Sequence, residues 1–84
     1  VKLKPLRVLN PRIPEHHRFD GGYDVLRAVI APDQIAAMVD VTLRVREVAG
    51  PVTEITLKTR NESSVMLVNE SLSDIEKKIQ EATS

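Results

Sequence analysis

The sequence predicts an α+β fold: a small antiparallel β-meander of four to five strands with one C-terminal α-helix packed on a face. Three observations predict it. Apolar and polar residues alternate through "VDVTLRVR" and again through "TEITLKTR", the two-residue period of strands with one wet side. "SLSDIEKKIQEA" instead places Leu72, Ile75, Ile79 and Ala82 on one helical stripe behind Ser71, which caps the helix while Asp74 completes a capping box. Gly50-Pro51 and Asn61-Glu62-Ser63 punctuate these runs as chain reversals.

Taken in order, "KLKPLRVLN" alternates loosely, and Pro5 inside it predicts an outer edge strand, because proline gives no N–H to a ladder. Residues 10–23 have neither period and contain Pro11, Pro14, Gly21 and Gly22, so they form a long loop. "YDVLRAVIA" is rich in branched residues and reads as a buried strand ending at Ala31, since Pro32 biases its predecessor toward extended backbone. "PDQIAAM" makes one helical turn with Ile35 and Met38 inward. Val39, Val41, Leu43 and Val45 then face the core, with Asp40, Thr42, Arg44 and Arg46 in water. Beyond Gly50-Pro51 the alternation resumes, with Ile55 and Leu57 inward and Thr56, Lys58 and Arg60 outward. "SVMLVN" is apolar at consecutive positions, as expected of a strand covered on both faces or at an oligomer contact. The helix spans residues 72–82, and burying Leu72, Ile75 and Ile79 contributes at most about 1.5–3 kcal/mol each.

The order "IAPDQIAAMVDV", then "VTEITLKTRNESSVMLVNESLSDIEKKIQ", resembles the small bacterial FlbD-like flagellar and swarming-motility proteins. Ile35, Ile55, Leu57, Val68, Glu70, Ser71, Ile75 and Ile79 fill that family's places, including the "V-x-E-S" entry to the helix. The glycine that usually follows asparagine in the hairpin is Glu62 here. The resemblance implies the sheet-and-helix fold and a bacterial or phage origin, since compact proteins of this kind also occur in phages. Function does not travel with fold alone.

A chain of 84 residues forms one domain, residues 1–84, burying roughly 60–65% of the surface its unfolded chain exposes. Stability of about 4–12 kcal/mol leaves little to hold a deep, desolvated set of catalytic groups. Net charge is +0, but Lys2, Lys4, Arg7, Arg12 and Arg18 make the N-terminal end basic while Glu70, Asp74, Glu76 and Glu81 make the other end acidic. The absence of cysteine excludes disulfides and thiolate chemistry and fits a reducing compartment. No apolar run approaches the ~18 residues of a membrane span, so a cytoplasmic protein without membrane contact is expected.

The one stretch with a chemical look is "NPRIPEHHRFDGGYD". Zinc there needs donors beyond His16 and His17, from Glu15, Asp20 or Asp24, and adjacent side chains converge on one ion only in a distorted loop. No metal or other cofactor is therefore expected. No serine sits in a nucleophile elbow, and Gly21-Gly22 lacks the third glycine, lysine and following helix of a phosphate loop. The expectation is a non-catalytic accessory or regulatory protein acting by protein–protein interaction, as a homo-oligomer or with another chain. Phe19 and Tyr23 are its expected apolar anchors, with Arg12, Arg18 and His17 as polar rim. The alternative is a small nucleic-acid-binding protein using Lys2, Lys4, Arg7, Arg44, Arg46, Lys58 and Arg60. Only two aromatics are available to stack on bases, which weighs against a single-strand platform.

Overall fold

The computed structural model describes residues 1–58 and 64–83 and is α+β, with antiparallel strands and a C-terminal helix. The strands are β1 (Lys2–Leu3), β2 (Leu6–Val8), β3 (Tyr23–Val25), β4 (Ala28–Val29), β5 (Ile35–Asp40), β6 (Thr53–Leu57) and β7 (Ser64–Val68), followed by helix α1 (Leu72–Thr83). Short 3-10 turns occupy Glu15–His17 and Pro32–Gln34. In place of one meander of four to five strands there are three small sheets: β1 with β4, β2 with β3, and a three-stranded meander β5–β6–β7. Arg60 and the reversal expected at residues 61–63 lie outside the described residues.

The two smaller sheets belong to one ribbon. Val1 and Ile30 exchange backbone hydrogen bonds, Leu3 stands opposite Ala28, the Leu26 amide donates to the Pro5 carbonyl at 2.8 Å, and Val8 stands opposite Tyr23. The Leu9 amide closes the series on Gly22 at 3.1 Å. A single register runs through all of these pairs. The strand expected over "YDVLRAVIA" is thus two short strands, interrupted at Leu26-Arg27 opposite Lys4-Pro5. Pro5 is not on an outer edge: it is buried, bridges Val68 of β7, and its predecessor Lys4 accepts the Asn69 amide at 2.9 Å. Proline leaves its pair with Leu26 one hydrogen bond short, so the ladder breaks at that point while the chain continues between its two neighbours.

The break has a packing consequence. Before it, Val1 and Leu3 pack on a cluster containing Ile55, Val68 and Ile75; after it, Leu6, Val8 and Tyr23 pack on a second cluster around Phe19, Val52 and Leu67. Strand side chains alternate faces, so a flat strand cannot bury Leu3 together with Leu6 and Val8 on one side. The ribbon changes its buried face at Pro5 and connects the two cores.

The sheet β5–β6–β7 lies between those cores. Its helix-side face presents Ile55 with its register partners Met38 and Met66, and adjacent Val68 turns the same way; Leu67 faces the other core. β7 is therefore covered on both faces at Leu67 and Val68, as consecutive apolar residues predict. Ser71 Oγ accepts the Asp74 amide at 3.2 Å, starting α1. Ile75 is fully buried, Leu72 and Ile79 are half-buried, and Ala82 is exposed, so the apolar stripe ends one turn earlier than the sequence spacing predicts.

The largest departure concerns residues 39–45. β5 stops at Asp40, whose Oδ1 accepts both the amide of Thr42 at 3.0 Å and its hydroxyl at 2.7 Å. This local turn competes with the ladder. The Arg44 and Val45 amides then both donate to the Val41 carbonyl at 3.0 Å, a helical turn in place of a strand. Val41, Val45 and Val48 are consequently buried on one side, at helical spacing, while Val39 and Leu43 point away from the core. Gly50, at φ 91°, completes the connection in a conformation that side-chain-bearing residues rarely adopt.

Two outcomes test this packing. Ile75→Ala should lower unfolding free energy by about 2–5 kcal/mol, whereas Leu43→Ala should stay within about 0.5 kcal/mol, both read from urea denaturation. The Asp40 carboxyl should titrate below its ordinary value of 3.8, held down first by the Thr42 amide and then by its hydroxyl. Its contribution to stability is complete above the ordinary value and fades as pH falls through the lowered one. Carboxyl NMR of Thr42→Val should show that midpoint moving back upward.

Candidate functional site

The long loop is held from inside. Phe19, expected as an exposed anchor, is 7% exposed and belongs to the core with Val41, Val45 and Val48. Tyr23 is half-buried, meets the Phe19 ring edge-on at 6.0 Å, and accepts the Ala49 amide on its hydroxyl at 3.1 Å. With so few aromatics in the chain, both rings are used to close the second core, since α1 covers only the first. Both rings therefore anchor the loop to the fold, Phe19 from within the core and Tyr23 from its margin. Arg18 lies over the Phe19 ring at 5.0 Å, while Arg12 and His17 are exposed. The double glycine is explained by the same closure: a Cβ on Gly21 would stand 2.9 Å from the Asn10 Cβ, and Gly22 has φ 95°.

The histidines separate in role. Their rings touch at 4.3 Å, and His17 Nδ1 lies 3.4 Å from Asp20. Among the described residues, one group of metal-type donors comes together, His17, Asp20 and Glu47, within 4.8 Å of one another and all exposed. Asp24, a donor the sequence offered, is instead held by Arg7 at 2.7 Å. Glu47 was missed because residues 39–46 read as a strand, which hides the turn that brings Glu47 to the loop. All three donors are exposed, whereas a built metal centre usually holds its ligands with buried, oriented supporting bonds.

The basic residues do not form one face. Arg7 is paired with Asp24, Arg44 is paired with Glu54 at 2.7 Å, and Arg46 donates to the Leu43 carbonyl at 3.1 Å. Lys58 is exposed near the far end of β6. Lys2 and Lys4 instead share a cleft with Arg27, a residue outside the sequence-based set, and with Lys78.

The face of the meander opposite α1 is half covered. The loop and the turn at residues 41–48 cover Leu67, but Val39 and Val65 on the same face are 53% and 59% exposed, and nearby Leu43 is 81% exposed. Beside them runs the free edge of β5, "IAAMVD", which has no strand on its outer side among the described residues. That edge has no lysine, arginine or proline to repel a further strand, and its one irregularity, the register shift around Ala36, leaves Ala37 to Asp40 regular. No described helix is long and apolar enough to cross a membrane.

The anchoring role of Phe19 has a direct test. Phe19→Ala should cost about 3–5 kcal/mol in urea denaturation, the penalty of a core cavity, while Arg12→Ala at the exposed rim should cost under about 0.5 kcal/mol.

Comparison with protein-family models, with curated proteins and with solved structures finds no match. The candidate surfaces are accordingly defined by geometry alone.

Proposed function

We propose that this chain is a non-catalytic accessory or regulatory protein that acts by binding another polypeptide, with a second copy of itself as the partner. The carrying observation is the unguarded edge of β5 beside the exposed Val39, Leu43 and Val65. Strand addition supplies a backbone ladder to that edge, and the apolar side chains next to it supply the specificity. An antiparallel approach of two β5 strands, centred on Met38, sets Ala37 of one copy opposite Val39 of the other on the uncovered face. It uses only the regular part of the edge. A net charge of +0 opposes no self-association.

The same surface is a poor place for catalysis. It offers aliphatic side chains and one ion pair, Arg44 with Glu54, and among the described residues no nucleophile with an oriented base. One short edge and three side chains fall below what a permanent dimer buries, so association should be reversible, with Kd of roughly 10–100 µM. Sedimentation velocity over a concentration series should show a monomer–dimer equilibrium, and Val39→Lys should weaken it by more than about tenfold. A strictly monomeric chain throughout that range, unchanged by Val39→Lys, would overturn the assignment.

A further inference from the structure

The cleft at the open end of the ribbon has a charge arrangement that the fold itself does not need. Its single register fixes who faces whom: Leu3 opposite Ala28 and the Leu26-to-Pro5 hydrogen bond bracket one intervening pair, Lys4 and Arg27. Hydrogen-bonded and non-hydrogen-bonded pairs alternate along an antiparallel ladder, and Lys4 with Arg27 is of the second kind, in which side chains approach more closely. Like charges directly opposite one another are destabilising. Further along the same ribbon the equivalent conflict is avoided, because Arg7 stands opposite Asp24 and is bonded to it at 2.7 Å.

Lys2, two residues from Lys4 and so on the same side of β1, adds a third cation opposite Val29. The cleft, about 440 Å³, is lined by these three cations, by Leu3, Ala28 and Val29, and by Lys78, with no carboxylate on its wall among the described residues. Lys78 is already engaged, donating to Glu70 and, at 2.9 Å, to the Lys2 carbonyl. Lys2, Lys4 and Arg27 remain, with no ion pair among the described residues, although Lys4 also borders a neighbouring cleft that holds Glu70 and Asp74; the apolar floor includes Val29 at 77% exposure.

We infer that this cleft binds the phosphate of an organic phosphomonoester, with Arg27, Lys4 and Lys2 on the phosphate oxygens and Val29 under the organic part. A guanidinium fork and two ammonium groups suit a dianionic tetrahedral group; a lone carboxylate would leave cations unmatched. Volume favours the same class, since about 300–1,000 Å³ is the range of small-molecule sites. Bound phosphate also removes the Lys4–Arg27 conflict. The inference is independent of the β5 interface, which shares no residue with the cleft.

The test is an amide NMR titration of the full chain with phenyl phosphate, with acetate as the anion control. Saturable shifts confined to residues 2–4 and 27–29, at Kd of roughly 1–10 mM, are expected. Arg27→Gln should weaken binding by about tenfold or more, whereas Lys58→Gln should leave it unchanged. Because Arg27→Gln also removes a like-charge pair, its thermal midpoint should equal or exceed that of the parent chain, which separates lost binding from lost folding. Co-sedimentation with phosphatidate vesicles would assign the phosphomonoester to a lipid headgroup, and its absence to a soluble ligand. Absence of saturation by phenyl phosphate, or equal weakening by Lys58→Gln, would overturn the site. Tighter, steeply salt-dependent binding of a short single-stranded oligonucleotide at these residues would replace the organic phosphate with nucleic acid and also overturn it.

Discussion

The structure depends on the pairing of β6 with β7, because these strands bring apolar side chains to both faces of one sheet. Ile55 and Val68 need cover on one side, Val52 and Leu67 on the other. One amphipathic helix covers one face only. The remaining cover comes from the chain's irregular parts, the long loop through Phe19 and the turn through Val41, Val45 and Val48. A protein of this size meets the demand incompletely, so part of the second face remains in water at Val39 and Val65. The candidate interface is what that incomplete cover leaves.

The N-terminal ribbon reconciles the two cores. It buries one set of alternating side chains before Pro5 and the other set after it, so each half also exposes the set that the other half buries. Lys2, Lys4, Arg27 and Val29 are the exposed set of the first half; Arg7 and Leu26 belong to the second, with Asp24 half-buried opposite Arg7. The basic cleft is therefore a direct result of how the ribbon crosses between the cores, and the proline is what permits the crossing.

Polar groups then lock the junctions. Glu70 is a buried carboxylate whose side chain is met by Lys78, while its carbonyl accepts the Thr53 hydroxyl at 2.8 Å. Lys78 reaches the Lys2 carbonyl as well, so β1, β6, the end of β7 and α1 are joined through one pair of residues. Glu70 Oε1 has no hydrogen-bond partner among the described residues, a cost that a purely apolar junction would avoid. Burying such a pair contributes little net stability, but removal of either partner leaves the other charge without compensation. Asn69 plays the matching part at the opposite hairpin, donating to the Ala49 and Pro51 carbonyls at 3.1 and 3.0 Å.

The sequence by itself determined the elements whose signals are local. α1 follows from Ser71 and the spacing of Leu72, Ile75 and Ile79; β6 and β7 follow from alternation and from consecutive apolar residues; a turn follows from Pro32, but it ends at Gln34, and Ile35 and Met38, expected within it, belong to β5. Residues 39–45 read as a strand because Val39, Val41, Leu43 and Val45 satisfy a two-residue period, but Val41, Val45 and Val48 also satisfy the helical one that the structure adopts. The competition was settled by Asp40 bonding Thr42 and by the need to cover Leu67, and the second of these exists only once the sheet has formed. Tertiary structure also decided that Phe19 and Tyr23 face inward, that Glu47 meets His17, and that Lys4 faces Arg27 across a ladder. Each of these depends on residues distant in the chain. Local periodicity specifies which way a side chain points relative to its own backbone, but only packing specifies what lies there to meet it.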